Sequence, residues 1–219
     1  VEARTDLPLH CLESPAPADG RGNVVFLHGL GSNAEDMAVL VDDLQFPARY
    51  LAFHGTFRVP TGEHYQGRSW YQRAGRELVG LDESVTKLRQ SLNALKVDAE
   101  KTVVVGFSQG AAVGLSVVLE SETAPAGLCL LSGFVAEPSF LDHRRERIQK
   151  LYCLLCHGIH DEVVPFADGL HALDMLASHG ARARLVAFPS SHWISVEAVV
   201  ELRRFLEERL PPPPSPPAG

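Results

Sequence analysis

The pentapeptide Gly106-Phe107-Ser108-Gln109-Gly110 places one serine between two glycines, and Asp161 and His192 follow it along the chain. A serine hydroxyl is a poor nucleophile until a base takes its proton and an acid orients that base. Serine, then an acid, then histidine is one chain order in which the three groups occur. The apolar run Thr102-Val103-Val104-Val105 precedes the pentapeptide and residues 111–120 read as a helix. Ser108 therefore stands at a strand-to-helix corner, where a sharp turn lifts the hydroxyl clear of a sheet. Glycine suits the positions two residues to either side, because side chains there would collide in so tight a turn.

Asp161 is the preferred acid. It lies in His157-Gly158-Ile159-His160-Asp161-Glu162-Val163-Val164-Pro165, just past an apolar run at 151–156, where open α/β sheets assemble their sites. Glu162 would point elsewhere, and Asp168 falls inside a predicted helix. Ten histidines compete for the role of base. His192 occupies the loop Pro189-Ser190-Ser191-His192 between the last strand and the last helix, again at the carboxyl edge. His160 is its main rival, but it adjoins Asp161 in sequence and precedes it; His143, His171 and His179 lie in predicted helices. Negative charge developing on a substrate carbonyl needs inward-facing N–H groups. The backbone amides of Gln109, after the nucleophile, and Leu30, in the loop His28-Gly29-Leu30-Gly31-Ser32, are the expected donors.

These groups need a frame. Runs at 23–27, 49–53, 102–107, 127–131, 151–156 and 183–188 read as strands, most of them continuously apolar, as in a parallel sheet covered on both faces. Residues 7–12 suggest an antiparallel edge strand. Helical patterns occupy 33–44, 82–96, 166–179 and 195–210, the second with Val85, Leu88, Leu92 and Leu95 on one stripe. The stretch 54–79 has no clear period and is a candidate wall or lid. Charged residues at 142–147 read as a solvated helix face. Cys153 and Cys156, three apart in a strand, point to opposite faces and read as buried thiols.

A chain of 219 residues, 45% hydrophobic, fits a single α/β domain over 1–210, with a proline-rich tail at 211–219 expected to be disordered. The net charge of −7 offers no basic footprint for nucleic acid and no polybasic stretch for a membrane surface. No apolar run is long enough for stable membrane insertion and no signal-peptide pattern opens the chain, which favours the cytoplasm.

The His28-Gly29-Leu30-Gly31 loop, the Gly-Phe-Ser-Gln-Gly elbow and His157-Gly158 with Asp161, Val163, Val164 and Pro165 together resemble the phospholipase/carboxylesterase family. That family comprises small α/β hydrolases and includes acyl-protein thioesterases and bacterial short-chain carboxylesterases. Ser69-Trp70-Tyr71 is similar to an element its members carry before their central helix. The resemblance implies an α/β-hydrolase fold, a mostly parallel sheet with helices on both faces and no large cap domain. It implies a serine esterase without metal or cofactor, with Ser108, Asp161 and His192 as its triad. Glu162, where the family often has proline, and Ser191, where it often has glycine, depart from the family pattern, and the segment 32–36 resembles the bacterial esterase branch more than the thioesterase branch. The expected substrate is a small carboxylic ester of short to medium acyl length. A thioesterase or lysophospholipase acting on longer chains is one alternative, and a non-catalytic binding module of this fold is another. Phe57, Tyr65, Trp70 and Tyr71 are candidates to line the acyl groove, equally able to pack over the sheet; the chain is expected to be a monomer or homodimer.

Overall fold

The computed structural model describes residues 1–60, 66–75 and 77–212, so Tyr65 and the proline tail from 213 onward lie outside the described residues. The strands are β1 (Glu2–Arg4), β2 (Cys11–Ser14), β3 (Asn23–Leu27), β4 (Arg49–Phe53), β5 (Phe57–Pro60), β6 (Gln66–Ser69), β7 (Gln72–Ala74), β8 (Glu77–Val79), β9 (Thr102–Phe107), β10 (Gly127–Leu131), β11 (Tyr152–Gly158) and β12 (Arg182–Phe188). The helices are α1 (Ala34–Ala38), α2 (Leu40–Leu44), α3 (Leu81–Ala94), α4 (Gln109–Glu120), α5 (Pro138–Asp142), α6 (Arg145–Ile148), α7 (Phe166–Ser178) and α8 (Val196–Arg209).

Eight strands form one sheet in the order β1-β2-β4-β3-β9-β10-β11-β12. All neighbours from β4 to β12 in that order run parallel, while β1 and β2 add an antiparallel edge. From β3 the chain winds first to β4 on one side and later to β9 on the other. That reversal opens a crevice at the carboxyl ends of β3 and β9, the place where such sheets bind ligands.

Each sheet face carries its own core because side chains alternate along a strand. Val25, Leu27, Val104, Leu128 and Cys153 face α3, α4 and α7. Val24, Phe26, Val103, Cys129 and Cys156 face α1, α2 and α8. Cys153 and Cys156 thus lie on opposite faces, both buried and free.

The six expected core strands occur, with β11 and β12 differing by one or two residues at their ends. The edge strand sits at 11–14 rather than 7–12. Leu7 and Leu9 are buried by a loop that packs on the first core, and the Leu9 N–H donates to Ser91 Oγ at 3.0 Å. Their apolar character served packing rather than a ladder. The helix expected over 33–44 is two short helices meeting at exposed Val39, and Asn33 caps the first by accepting from the Asp36 N–H at 3.0 Å. Between β4 and α3, the unpatterned stretch forms two antiparallel pairs, β5–β6 and β7–β8. Strands of three or four residues are too short to show a period.

Candidate active site

β9 runs into α4 through Ser108, whose backbone sits at φ 52°, ψ −115°, a conformation that L residues rarely adopt. Its neighbours explain how the turn closes. A Cβ on Gly106 would stand 2.3 Å from the Gly110 carbonyl oxygen, and one on Gly110 would stand 2.2 Å from that of Leu27. The turn is pinned to the sheet by the Ser108 N–H, which donates to the Leu131 carbonyl at 2.9 Å.

Asp161 is reached from the end of β11. One oxygen, Oδ1, accepts from the N–H groups of Val163 (3.0 Å) and Val164 (2.9 Å), so the carboxylate closes its own turn. The other, Oδ2, lies 2.7 Å from His192 Nδ1. Burial by itself would raise the Asp161 pKa, but bonds from His192, the Val164 amide, the Ser132 hydroxyl and the Val163 amide outweigh it and hold the carboxyl below its ordinary value. The buried His157 imidazole stands behind, 3.6 Å from Oδ2, with Nε2 2.9 Å from the Val164 carbonyl.

His192 faces both partners. Its Nε2 is 3.1 Å from Ser108 Oγ, and its ring packs on Phe107 with centroids 4.9 Å apart. Since Asp161 can only accept in its ionised form, Nδ1 carries the proton and Nε2 presents a lone pair to the hydroxyl. Hydroxyl, imidazole and carboxylate therefore stand in one hydrogen-bonded row. The rivals do not join it: His160, Glu162 and Asp168 are all exposed.

The loop after β3 packs directly on this row. A Cβ on Gly29 would lie 3.4 Å from Ser108 Cβ, and Gly31 has φ +80°. The loop is held by paired bonds to β6, Gly31 N–H to the Arg68 carbonyl and Arg68 N–H to the Ser32 carbonyl, each 2.8 Å. Leu30, between Gly29 and Gly31, has no acceptor for its N–H among the described residues. Gln109 opens α4, so its N–H lacks an intrahelical acceptor as well. His28 anchors the loop from below. The Gly55 N–H donates to its Nε2 at 2.8 Å, so Nδ1 bears the proton and donates to the Gly29 carbonyl at 2.6 Å. Burial pulls the His28 pKa down to about 4, which keeps the ring neutral.

Ser108 and His192 open into a groove of about 660 Å³ walled by Leu30, Val59, Tyr71, Phe107, Phe134 and Val163. Of the described aromatics expected there, Tyr71 alone lines it. Trp70 is fully buried behind the wall, donating from Nε1 to the His28 carbonyl at 2.9 Å, and Phe57 packs its ring against Gly80. Sequence reasoning also missed the Gln109 side chain. Its Oε1 accepts from the Trp70 N–H (2.8 Å) and its Nε2 donates to the Tyr71 carbonyl (2.9 Å), clamping the groove wall to the elbow. A glutamine beside the nucleophile, in a chain whose wall segment lacks its own pattern, was the available signal.

Sheet order, strand-to-helix elbow and site at the carboxyl edge define an α/β-hydrolase fold. Residues 13–210 match the sequence model of the phospholipase/carboxylesterase family, and the chain belongs to that family. It is 26% identical over 208 residues to acyl-protein thioesterase 1 homolog 1 of Dictyostelium discoideum, covering 86% of this chain and 90% of the relative. It is 28% identical over 186 residues to acyl-protein thioesterase 1 of Yarrowia lipolytica, covering 77% and 82% respectively. Among solved structures, esterase PE8 superposes with a TM-score of 0.81 at 26% identity, over 92% of this chain and 99% of that one. No helix among the described residues is long and apolar enough to cross a membrane.

Proposed function

We propose that this chain hydrolyses carboxylic esters of short to medium acyl length through an acyl-enzyme on Ser108. The reading is carried by the row from Ser108 Oγ through His192 to Asp161, with contacts of 3.1 and 2.7 Å. Ser108 Oγ attacks the ester carbonyl as its proton passes to His192 Nε2. The tetrahedral oxyanion takes hydrogen bonds from the Leu30 and Gln109 amides. Collapse expels the alcohol, which receives the proton from His192. Water then repeats the sequence on the acyl-serine, releasing the acid and restoring the hydroxyl. Asp161 stays ionised throughout, fixing the imidazole tautomer.

The groove limits acyl length. Its rim residues Leu30 and Val163 are 64% and 68% exposed, and an open trough grips a long chain poorly. The test is hydrolysis of p-nitrophenyl esters from acetate to palmitate, with Ser108→Ala as control and a fluorophosphonate to label the serine. Activity that peaks at short chains and vanishes in Ser108→Ala is expected. Undiminished turnover by Ser108→Ala would refute the mechanism, and no labelling would favour a binding module. The names of the thioesterase relatives favour one second reading, turnover of longer acyl thioesters. Rates on matched ester and thioester pairs decide between them.

A further inference from the structure

The groove wall carries charge of one sign. Arg58 and Arg73 both line it, and among the described residues no acidic side chain does. That is unexpected in a chain with 27 acids and 20 bases. Arg4, Arg49, Arg89, Arg184, Arg203 and Arg204 are each paired with a carboxylate, while the other described arginines are not. Arg58 and Arg73 have no such partner among the described residues.

Two further observations give the pair direction. Arg58 stands directly opposite Arg68 across β5–β6, so two guanidinium groups share one face of an antiparallel pair; Glu35 offsets the charge of Arg68, which does not line the groove, and not that of Arg58, which does. Arg68 is half-buried, and its Nε is buried without a hydrogen-bond partner. Arg73, on β7, lines the groove together with Tyr71, the buried residue two places before it in the chain. Guanidinium groups gathered beside an apolar trough recognise carboxylate or phosphate by charge-assisted, often bidentate bonds.

We propose that the groove selects esters that carry an oxyacid anion, and that Arg58 and Arg73 bind it. The inference rests on the esterase reading for its chemistry, while the anion site itself is independent of turnover. Carboxylate and phosphate are distinguished by the probes: p-nitrophenyl monoglutarate against p-nitrophenyl valerate, and 1-butyrylglycerol 3-phosphate against 1-butyrylglycerol. In the unaltered protein, kcat/KM for at least one anionic ester should exceed that of its neutral partner. Arg58→Gln and Arg73→Gln should each reduce that anionic-to-neutral ratio about ten- to hundredfold, the equivalent of one hydrogen bond to a charged group. Arg58→Lys should keep part of the preference. A ratio taken within one preparation is insensitive to the fraction folded. Ratios of one or below, or ratios that the substitutions leave unchanged, would overturn the inference. If neither kind of ester is cleaved, the esterase reading fails. Titration calorimetry of monomethyl glutarate against neutral methyl pentanoate then decides the anion site: tighter monomethyl glutarate binding that weakens in Arg58→Gln supports it, and equal binding refutes it.

Discussion

Gly158→Ala should separate the folding of this protein from its chemistry. His192 is carried on the loop after β12, and that loop lies across the end of β11. A Cβ on Gly158 would stand 2.3 Å from the Ser190 carbonyl oxygen and 2.6 Å from that of Ser191. Ordinary contact requires more than about 3 Å, so the loop must retreat by about 1 Å. Both obstructing carbonyls lie within two residues of His192, and the retreat carries the imidazole with it. The Nε2 to Oγ contact, 3.1 Å at present, then stretches toward 4 Å and ceases to be a hydrogen bond. Misplacement of that order costs about a hundredfold in rate, or ~2.7 kcal/mol of barrier. The assay is kcat on p-nitrophenyl butyrate, paired with the rate of fluorophosphonate labelling and a thermal melt. The expected outcome is a cooperative melt with kcat and labelling both slowed about a hundredfold. A folded Gly158→Ala protein with kcat within threefold of the parent would refute the argument that loop docking sets the position of the base.

Asp161→Asn should lower kcat/KM by about 10³–10⁴ with the melt preserved, because the Val163 and Val164 amides hold the side-chain oxygen and leave the NH₂ facing His192, which imposes the wrong tautomer. Gly110→Ala drives a Cβ to 2.2 Å from backbone and should cost about 3 kcal/mol of stability by urea titration. Gly31→Ala, at φ +80° with open space around it, should cost only about 1 kcal/mol while slowing turnover through the Leu30 amide. Gln109→Ala strands a buried N–H and a buried carbonyl in the wall, so the melting temperature should fall by an amount equivalent to about 2–4 kcal/mol and KM should rise. His28 is held at about 4. An imidazole in the unfolded chain titrates near 6.5, so between those values the unfolded chain binds more protons. Stability should be intact above about pH 6.5 and decline by up to about 3 kcal/mol as pH falls to 4, a slope in the urea midpoint that His28→Gln should flatten.

The parts of this structure legible in the sequence are those where one physical demand dominates. Strands buried on both faces must be apolar throughout, and β3, β4, β9 and β10 lie where their apolar runs lie. The elbow was legible because Gly106 and Gly110 answer a steric demand that other residues cannot meet. Illegible parts serve two demands at once. Leu7 and Leu9 are apolar for the core yet lie in a loop. Trp70 has the look of a groove residue, but the hydrogen bond from its indole is spent on the His28 carbonyl, which places the ring inside the wall. Arg58 and Arg68 carry no periodicity, and only the β5–β6 pairing sets them opposite each other.

The same pairing logic accounts for how distant residues meet. Adjacent strands lie about 4.8 Å apart, so the ends of β9 and β12, three places removed, are separated by roughly 14 Å. A side chain cannot span that gap. The β12 loop instead folds back over β11, with the Ile159 N–H on the Phe188 carbonyl (2.8 Å) and the His160 N–H on the Ser190 carbonyl (3.0 Å). Ser132, after β10, fills the remaining interval, its N–H donating to the Cys156 carbonyl of β11 at 2.8 Å and its nearby hydroxyl helping to hold the Asp161 pKa down. Each of the four consecutive strand ends thus delivers one member of the row or its support. The chain order of serine, acid and histidine follows from the spatial order of β9, β11 and β12, not from any local signal around the residues themselves.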